Sequence, residues 1–488
     1  MKRILSVFLI FTLLLPLAAC GTAPTDPTPA LPTESDPTPP PDGVATDDPA
    51  PKPEPVPENA AAELLAAPEY PECVPFPQES DYFTMESLSG GSNEQFEKYN
   101  AARSAWLESV NERRAIATGT GLDDFYRKAA PLILGDETEN RVLSPLNLYL
   151  ALAMLAEVTD GNTRAQLLDL LGAHDIEAVR TQADALWRMN YSDDGFTTTL
   201  LGYSLWLSDR IRYVQSTVDT LAEKYRASVF RGTMGSPSYT KMLQDWLNEQ
   251  TGGLLREAAG KQEFEPETVA ALATTIYFKA RWSKTFPGSA TMPEIFHTAS
   301  GELKCDFMHS SGTDTYYWGE DFGAVRRGFE SSDCAMWFIL PDEGKTPQDL
   351  LKEGTALELA ISDNWENRKT LQINLSVPKF DVSSDLDLVR DLEKLGITDA
   401  FNPFVSDFTP LETEDDLIYV NKVTHAARIK VDEEGCEAAA FTVIMMKAGA
   451  AMPPEDKMDF VLDRPFLLVI TGVNRTPLFV ASVQTPVE

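Results

Sequence analysis

The stretch Val431-Asp-Glu-Glu-Gly435-Cys-Glu-Ala-Ala-Ala440-Phe-Thr-Val-Ile-Met445-Met-Lys-Ala-Gly-Ala450-Ala-Met-Pro-Pro454 decides how this chain is read. It leaves a strand, passes three acids, turns at Gly435, and runs through small residues before bulky apolar ones. No proline falls between Gly435 and Met452, so every backbone N–H there can enter a sheet ladder. Strand alternation puts Cys436, Ala438, Ala440, Thr442, Ile444 and Met446 on one face. Glu437, Ala439, Phe441, Val443, Met445 and Lys447 fall on the other. The first face carries no charge and is small at its start. Small side chains bury little area, which is a poor choice for an ordinary core strand. They suit a strand that slides between two neighbours already packed.

Upstream of this stretch the pattern is mixed. Helical spacing is predicted for Gln95 to Ile116, with Phe96, Tyr99, Ala102, Trp106 and Val110 on one face, and for Asp123 to Leu134. A third helix starts at Ser144-Pro145, an N-cap followed by a first-turn proline, and is expected to end at Asp160-Gly161-Asn162. Strands are predicted at Thr198–Leu207, Ala273–Phe278, Ala335–Leu340 and Leu371–Val377. Strands and helices do not alternate regularly, so the expected class is α+β.

The first eighty residues are of a different kind. Lys2 and Arg3 precede an apolar run from Ile4 to Leu15, too short for a comfortable membrane span. The run ends Leu17-Ala18-Ala19-Cys20-Gly21, which resembles a bacterial lipobox and implies lipidation of Cys20 after removal of residues 1–20. Residues 21–80 are rich in Pro and Thr and read as a disordered tether, whose extended form reaches on the order of 150 Å. The expected place is the cell envelope, lipid-anchored on the outer side of the membrane. The remainder, 81–488, reads as one domain, with 81–120 as a helical extension and 432–454 as hinge and loop.

The net charge of −34 argues against nucleic-acid partners. Cys73, Cys305, Cys334 and Cys436 are far apart and lack metal-ligand spacing, and no metal or cofactor is expected. His174, His297, His309 and His425 accompany no Gly-x-Ser-x-Gly elbow, no His-Glu-x-x-His and no phosphate-binding glycine loop. An enzyme is therefore not expected.

The hinge Glu433, Glu434, Gly435, Cys436, Glu437, Ala438, Ala439, Ala440 resembles that of the serpin family of serine protease inhibitors. Phe460–Ile470 is similar to the family's C-terminal signature, and Asn140–Leu148 with Gly161-Asn162-Thr163 to its helix B region. Ile276–Trp282 with Phe286, Val377–Phe380, Leu395-Gly396-Ile397 and Asp407-Phe408 follow in family order. The resemblance implies three β-sheets, eight or nine helices and an exposed C-terminal reactive loop in a monomeric protein. It implies a suicide substrate: a protease acylated by the loop is carried away as the cut loop inserts into the large sheet. It also implies a shutter at Ser144, Asn147, Thr274 and His425, where the amide has moved from strand to helix, and a breach at Trp282. Counting from Glu433 puts the reactive bond at Gly449-Ala450, with Met446, Lys447 and Ala448 as alternatives. Small residues there suit an elastase-like protease first; Lys447 would suit a trypsin-like one. Cys436 stands where inhibitory members usually have Thr or Ser. The other reading is a non-inhibitory serpin that serves as a surface binding protein.

Overall fold

The computed structural model describes residues 4–9, 62–83, 93–135, 138–330, 332–362, 364–412, 417–436, 454 and 456–487. Cys20, most of the tether and residues 437–453, with the reactive bond and the second half of the hinge, lie outside the described residues.

Two nine-stranded networks of hydrogen-bonded strands organise the chain. In the first, Phe380–Asp387 pairs antiparallel with Leu417–Val431 at one side. Thr268–Arg281, Thr197–Ser208, Ala227–Gly232 and Glu63–Ala66 follow in order on the other. Between Leu417–Val431 and Thr268–Arg281 lies a slot. Gly435–Cys436 enters it antiparallel to both neighbours. Ile4–Leu9 lies in it parallel to both. The second network turns on the 18-residue strand Gly301–Trp318. Met292–Thr298 pairs with its first half, and Phe322–Gly328 with its second. Arg368–Pro378 pairs with Phe307–Tyr317 of it and carries Lys457–Val461 on its outer edge. Divided at that long strand, the second network is two sheets, giving three in all. Of twelve α-helical segments among the described residues, Glu79–Tyr82 and Arg256–Ala259 are single turns and Asn93–Arg114 is the N-terminal extension, leaving nine in the body.

Ser144 caps the central helix Pro145–Glu157 by accepting the Asn147 N–H at 3.3 Å. Every residue of that helix is buried, as its near-continuous apolar sequence requires. The helix stops at Glu157, earlier than Asp160. Gly161, with φ of +56°, opens the next helix, Gly161–Leu171, because Asp160 donates its N–H to Asp407 O at 3.0 Å and the chain must turn there. On the opposite face of the first sheet, helix Pro237–Gln250 packs Tyr239, Leu243 and Trp246 around Trp206, with Phe264 completing the cluster.

The packed body reaches back to Ala62, into the stretch read as tether. Apolar residues scattered among the prolines explain it. Leu64 pairs with Phe230 at the sheet edge. Tyr70 stacks on Tyr191 and leans on Trp187, and Phe76 meets Phe196 and Trp106. Helix Asn93–Arg114 buries Tyr99, Trp106 and Val110, whereas Phe96, expected on that face, is 58% exposed at the helix start. Trp106 Nε1 donates to Asp194 Oδ2 at 3.0 Å. Asp194 Oδ1 accepts the N–H groups of Phe196 (3.0 Å) and Thr197 (2.8 Å). One buried carboxylate thus ties the extension to the head of the Thr197–Ser208 strand. Asp194→Ala leaves three buried donors without that acceptor and is expected to lower stability by about 3 kcal/mol, read as an earlier first transition in urea unfolding.

Candidate functional site

The slot in the first sheet has a mouth and a middle, and the sequence-predicted residues divide between them. At one end, Val431 leaves the strand and the chain makes a tight turn. Asp432 Oδ1 accepts the N–H groups of Glu434 (2.9 Å) and Gly435 (3.3 Å), and Asp432 N–H donates to Gly435 O at 3.1 Å. This is an Asp-centred turn of the kind short acidic side chains favour. Gly435 then pairs with Arg281, and Cys436 with both Ala280 and Val431. A Cβ on residue 435 would lie 2.2 Å from Ala280 O, so only glycine fits the approach. Cys436 is 3% exposed, on the face that alternation assigns to burial.

The loop after Thr268–Arg281 holds this turn. Trp282 donates its backbone N–H to Glu434 O (2.9 Å) and its Nε1–H to Asp432 O (3.0 Å). Phe286 N–H donates to Glu433 O at 3.0 Å. The Trp282 ring stacks on Phe329 at 4.7 Å and meets Phe286 and Phe338. Glu433 accepts from Thr291 Oγ1 at 2.8 Å and pairs with Lys379 at 2.8 Å. Burial alone would raise the pKa of Glu433, but these two bonds outweigh it and hold the carboxylate below its usual range. Asp432 and Thr291 were not singled out in the sequence. The Asp-x-x-Gly spacing was the available signal for the first; Thr291 had none.

At the shutter, His425 and Ser144 meet. Ser144 N–H donates to His425 Nε2 at 2.9 Å, and Ser144 Oγ–H donates to Leu478 O at 2.6 Å. An acceptor Nε2 requires the neutral ring with its proton on Nδ1. His425 is fully enclosed, and desolvation pulls its pKa down to about 4. Asn147 is joined to Ser144 through its backbone, while its Oδ1 is buried with no hydrogen-bond partner among the described residues. Thr274 is buried on the Thr268–Arg281 strand opposite Tyr203 and bonds to none of these three among the described residues.

A hydrolase-like trio appears elsewhere. Ser376 Oγ lies 2.9 Å from His309 Nδ1, and Glu294 Oε1 lies 3.3 Å from His309 Nε2. The Glu294 contact is close but misaligned, since His309 Nε2 makes no hydrogen bond. Ser376 and His309 are a directly opposed pair inside a ladder. The serine sits on a flat sheet, without the strained turn or converging N–H donors that acyl chemistry needs. We read the trio as cross-strand packing. Among the described residues no group of His, Cys, Asp or Glu could hold a metal ion, and no helix is long and apolar enough to cross a membrane. None of the four cysteines Cys73, Cys305, Cys334 and Cys436 is disulfide-bonded.

The shutter makes stability depend on pH. The native ring resists protonation until about pH 4, whereas the unfolded ring takes a proton near 6.5. Below 6.5 the unfolded chain therefore binds more protons, and its stability relative to the native chain grows as pH falls. The His425 contribution is complete above pH 6.5 and is lost toward pH 4, up to about 3 kcal/mol. Unfolding midpoints of the wild type measured across that window are expected to fall more steeply than those of His425→Gln, which keeps an acceptor for Ser144 but does not titrate.

The model of the family Serpin (serine protease inhibitor) matches residues 124–486. Plasminogen activator inhibitor 1 of Sus scrofa is 27% identical over 400 residues, covering 76% of this chain and 92% of that protein. The native state of tengpin, a thermophilic serpin, superposes with a TM-score of 0.67 at 26% identity, covering 75% of this chain and 93% of that one. A thyroxine-binding globulin complexed with thyroxine superposes with a TM-score of 0.63 at 21% identity, covering 76% and 99%, a likeness of fold alone. With the sheet and slot in place and the family model matching about three quarters of its length, the chain belongs to the serpin family.

Proposed function

We propose that this protein is a stoichiometric inhibitor of serine proteases that acts as a suicide substrate from a lipid anchor on Cys20. The observation that carries the reading is the seating of Gly435–Cys436 at the mouth of the slot, antiparallel to both of its walls. After Glu437, the chain continues with the small side chains of Ala438, Ala439 and Ala440. The protease serine attacks a loop carbonyl, the chain beyond it leaves as a free amine, and the protease stays attached as an ester. The freed loop then continues the ladder that residues 435 and 436 begin. About fifteen residues at roughly 3.3 Å each displace the enzyme on the order of 50 Å. Distortion of the enzyme stops water from releasing it. Ile4–Leu9 lies within the proposed signal, so its removal leaves that part of the slot to the loop.

The bond is assigned to Gly449-Ala450, with Met446, Lys447 and Ala448 as alternatives, and an elastase-like target ahead of a trypsin-like one. Small residues on both sides of the bond favour a narrow primary pocket. Residues 21–61 hold the inhibitor clear of the envelope, as their proline content supports.

The expected result of mixing the chain with pancreatic elastase is an SDS-resistant band of inhibitor plus protease, with a released C-terminal peptide whose mass begins at Ala450. Trypsin is expected to give less of this band. Loop cleavage without any such band, for every serine protease tried, would reject trapping and favour a non-inhibitory serpin that works as a binding protein.

A further inference from the structure

The loop that grips the hinge has a cleft beneath it. Lys284, Thr285 and Pro287 form its roof, and the cleft encloses about 160 Å³ against the second strand network. That is room for several water molecules or a small organic molecule. Part of the floor is apolar: Val325, Ile373 and Leu375 are all buried, beside Ser310 and Ser311. Two cations converge on it. Arg327 is only 7% exposed and donates to Lys284 O, with its guanidinium 5.0 Å from the Phe286 ring. Lys284 Nζ crosses to Thr313 O at 3.2 Å. One carboxylate, Asp314, lies 3.6 Å from the guanidinium. The three formal charges leave the cleft with one net positive charge, in a chain whose total is −34.

A cationic recess with a partly apolar floor selects for a particular chemistry. Guanidinium is a planar fork that matches a carboxylate, and its five donors exceed what Asp314 and one carbonyl accept. A single net positive charge suits a monoanion rather than a phosphate. We propose that this cleft binds a small amphiphilic carboxylate, its head between Lys284 and Arg327 and its apolar body on Val325, Ile373 and Leu375. The occupant would touch the same loop whose Trp282 and Phe286 N–H groups hold Glu434 and Glu433. The site is thus placed to sense or bias the hinge, and it stands whether or not the protein traps proteases.

Calorimetric titration of the full chain with benzoate tests it, with benzamide as the uncharged match. Saturable one-to-one binding at millimolar concentration is expected, about tenfold weaker for benzamide, as befits loss of a charge-assisted bond. Lys284→Ala, at an exposed position, is expected to weaken benzoate about tenfold. Asp314→Asn removes the competing anion and is expected to tighten it. Absence of saturable binding, equal affinity for benzamide, or an unchanged affinity in Lys284→Ala would each overturn the proposal; equality with benzamide would mark the cleft as an apolar crevice only.

Discussion

The structure depends on how Leu417–Val431 and Thr268–Arg281 are kept apart. They run parallel, with a strand-wide slot between them that takes Gly435–Cys436 at its mouth and Ile4–Leu9 at its far end, the latter within the proposed signal. Backbone donors and acceptors facing such a slot demand partners, since an unpaired buried peptide group is costly. A chain able to supply them along the whole slot would therefore be drawn in. On the inhibitor reading proposed above, the loop's connection to strand Lys457–Val461 on the other network is the restraint that a cut would remove.

The mouth and the middle of the slot are governed by different chemistry. At the mouth the turn is polar and half exposed: Asp432, Glu433, Lys379 and Thr291 fix the hinge with charge-assisted bonds that can be broken one at a time. Further in, the shutter is dry. His425 is neutral, Ser144 is bonded through both its N–H and its hydroxyl, and Asn147 leaves an amide oxygen without a partner among the described residues. An unsatisfied buried oxygen is a local weakness of the native sheet, and it lies at the start of the central helix behind that sheet. The N-terminal extension adds a tie at the far edge through Trp106, Asp194 and the aromatic ladder from Tyr70 to Phe76.

Much of this was legible in the residues, and the failures have reasons. Strand cores such as Ala273–Phe278 and Leu371–Val377 were found because β-branched and aromatic runs mark them; their ends extended further, since ladders recruit flanking residues once a neighbour is present. The hinge was legible because Gly435 and small residues at strand spacing are unusual. The tether boundary was misplaced because proline content masks a few apolar residues that matter only when a sheet edge is there to receive them. Gly161 looked like a helix end because a positive-φ glycine serves either end of a helix, and only Asp407, distant in sequence, decides which. The cleft under the hinge loop was invisible, as Lys284, Arg327 and Ile373 come together only through strand pairing.

The most direct test of a sheet held short of its most stable form is thermal. The purified chain would be heated before and after a single cut within residues 446–452, with unfolding followed by circular dichroism. The cut chain, with its loop inserted, is expected to unfold at a much higher temperature than the intact one. A cut chain that melts at the same temperature or lower would contradict it, because the slot would then hold no stored free energy for the loop to release.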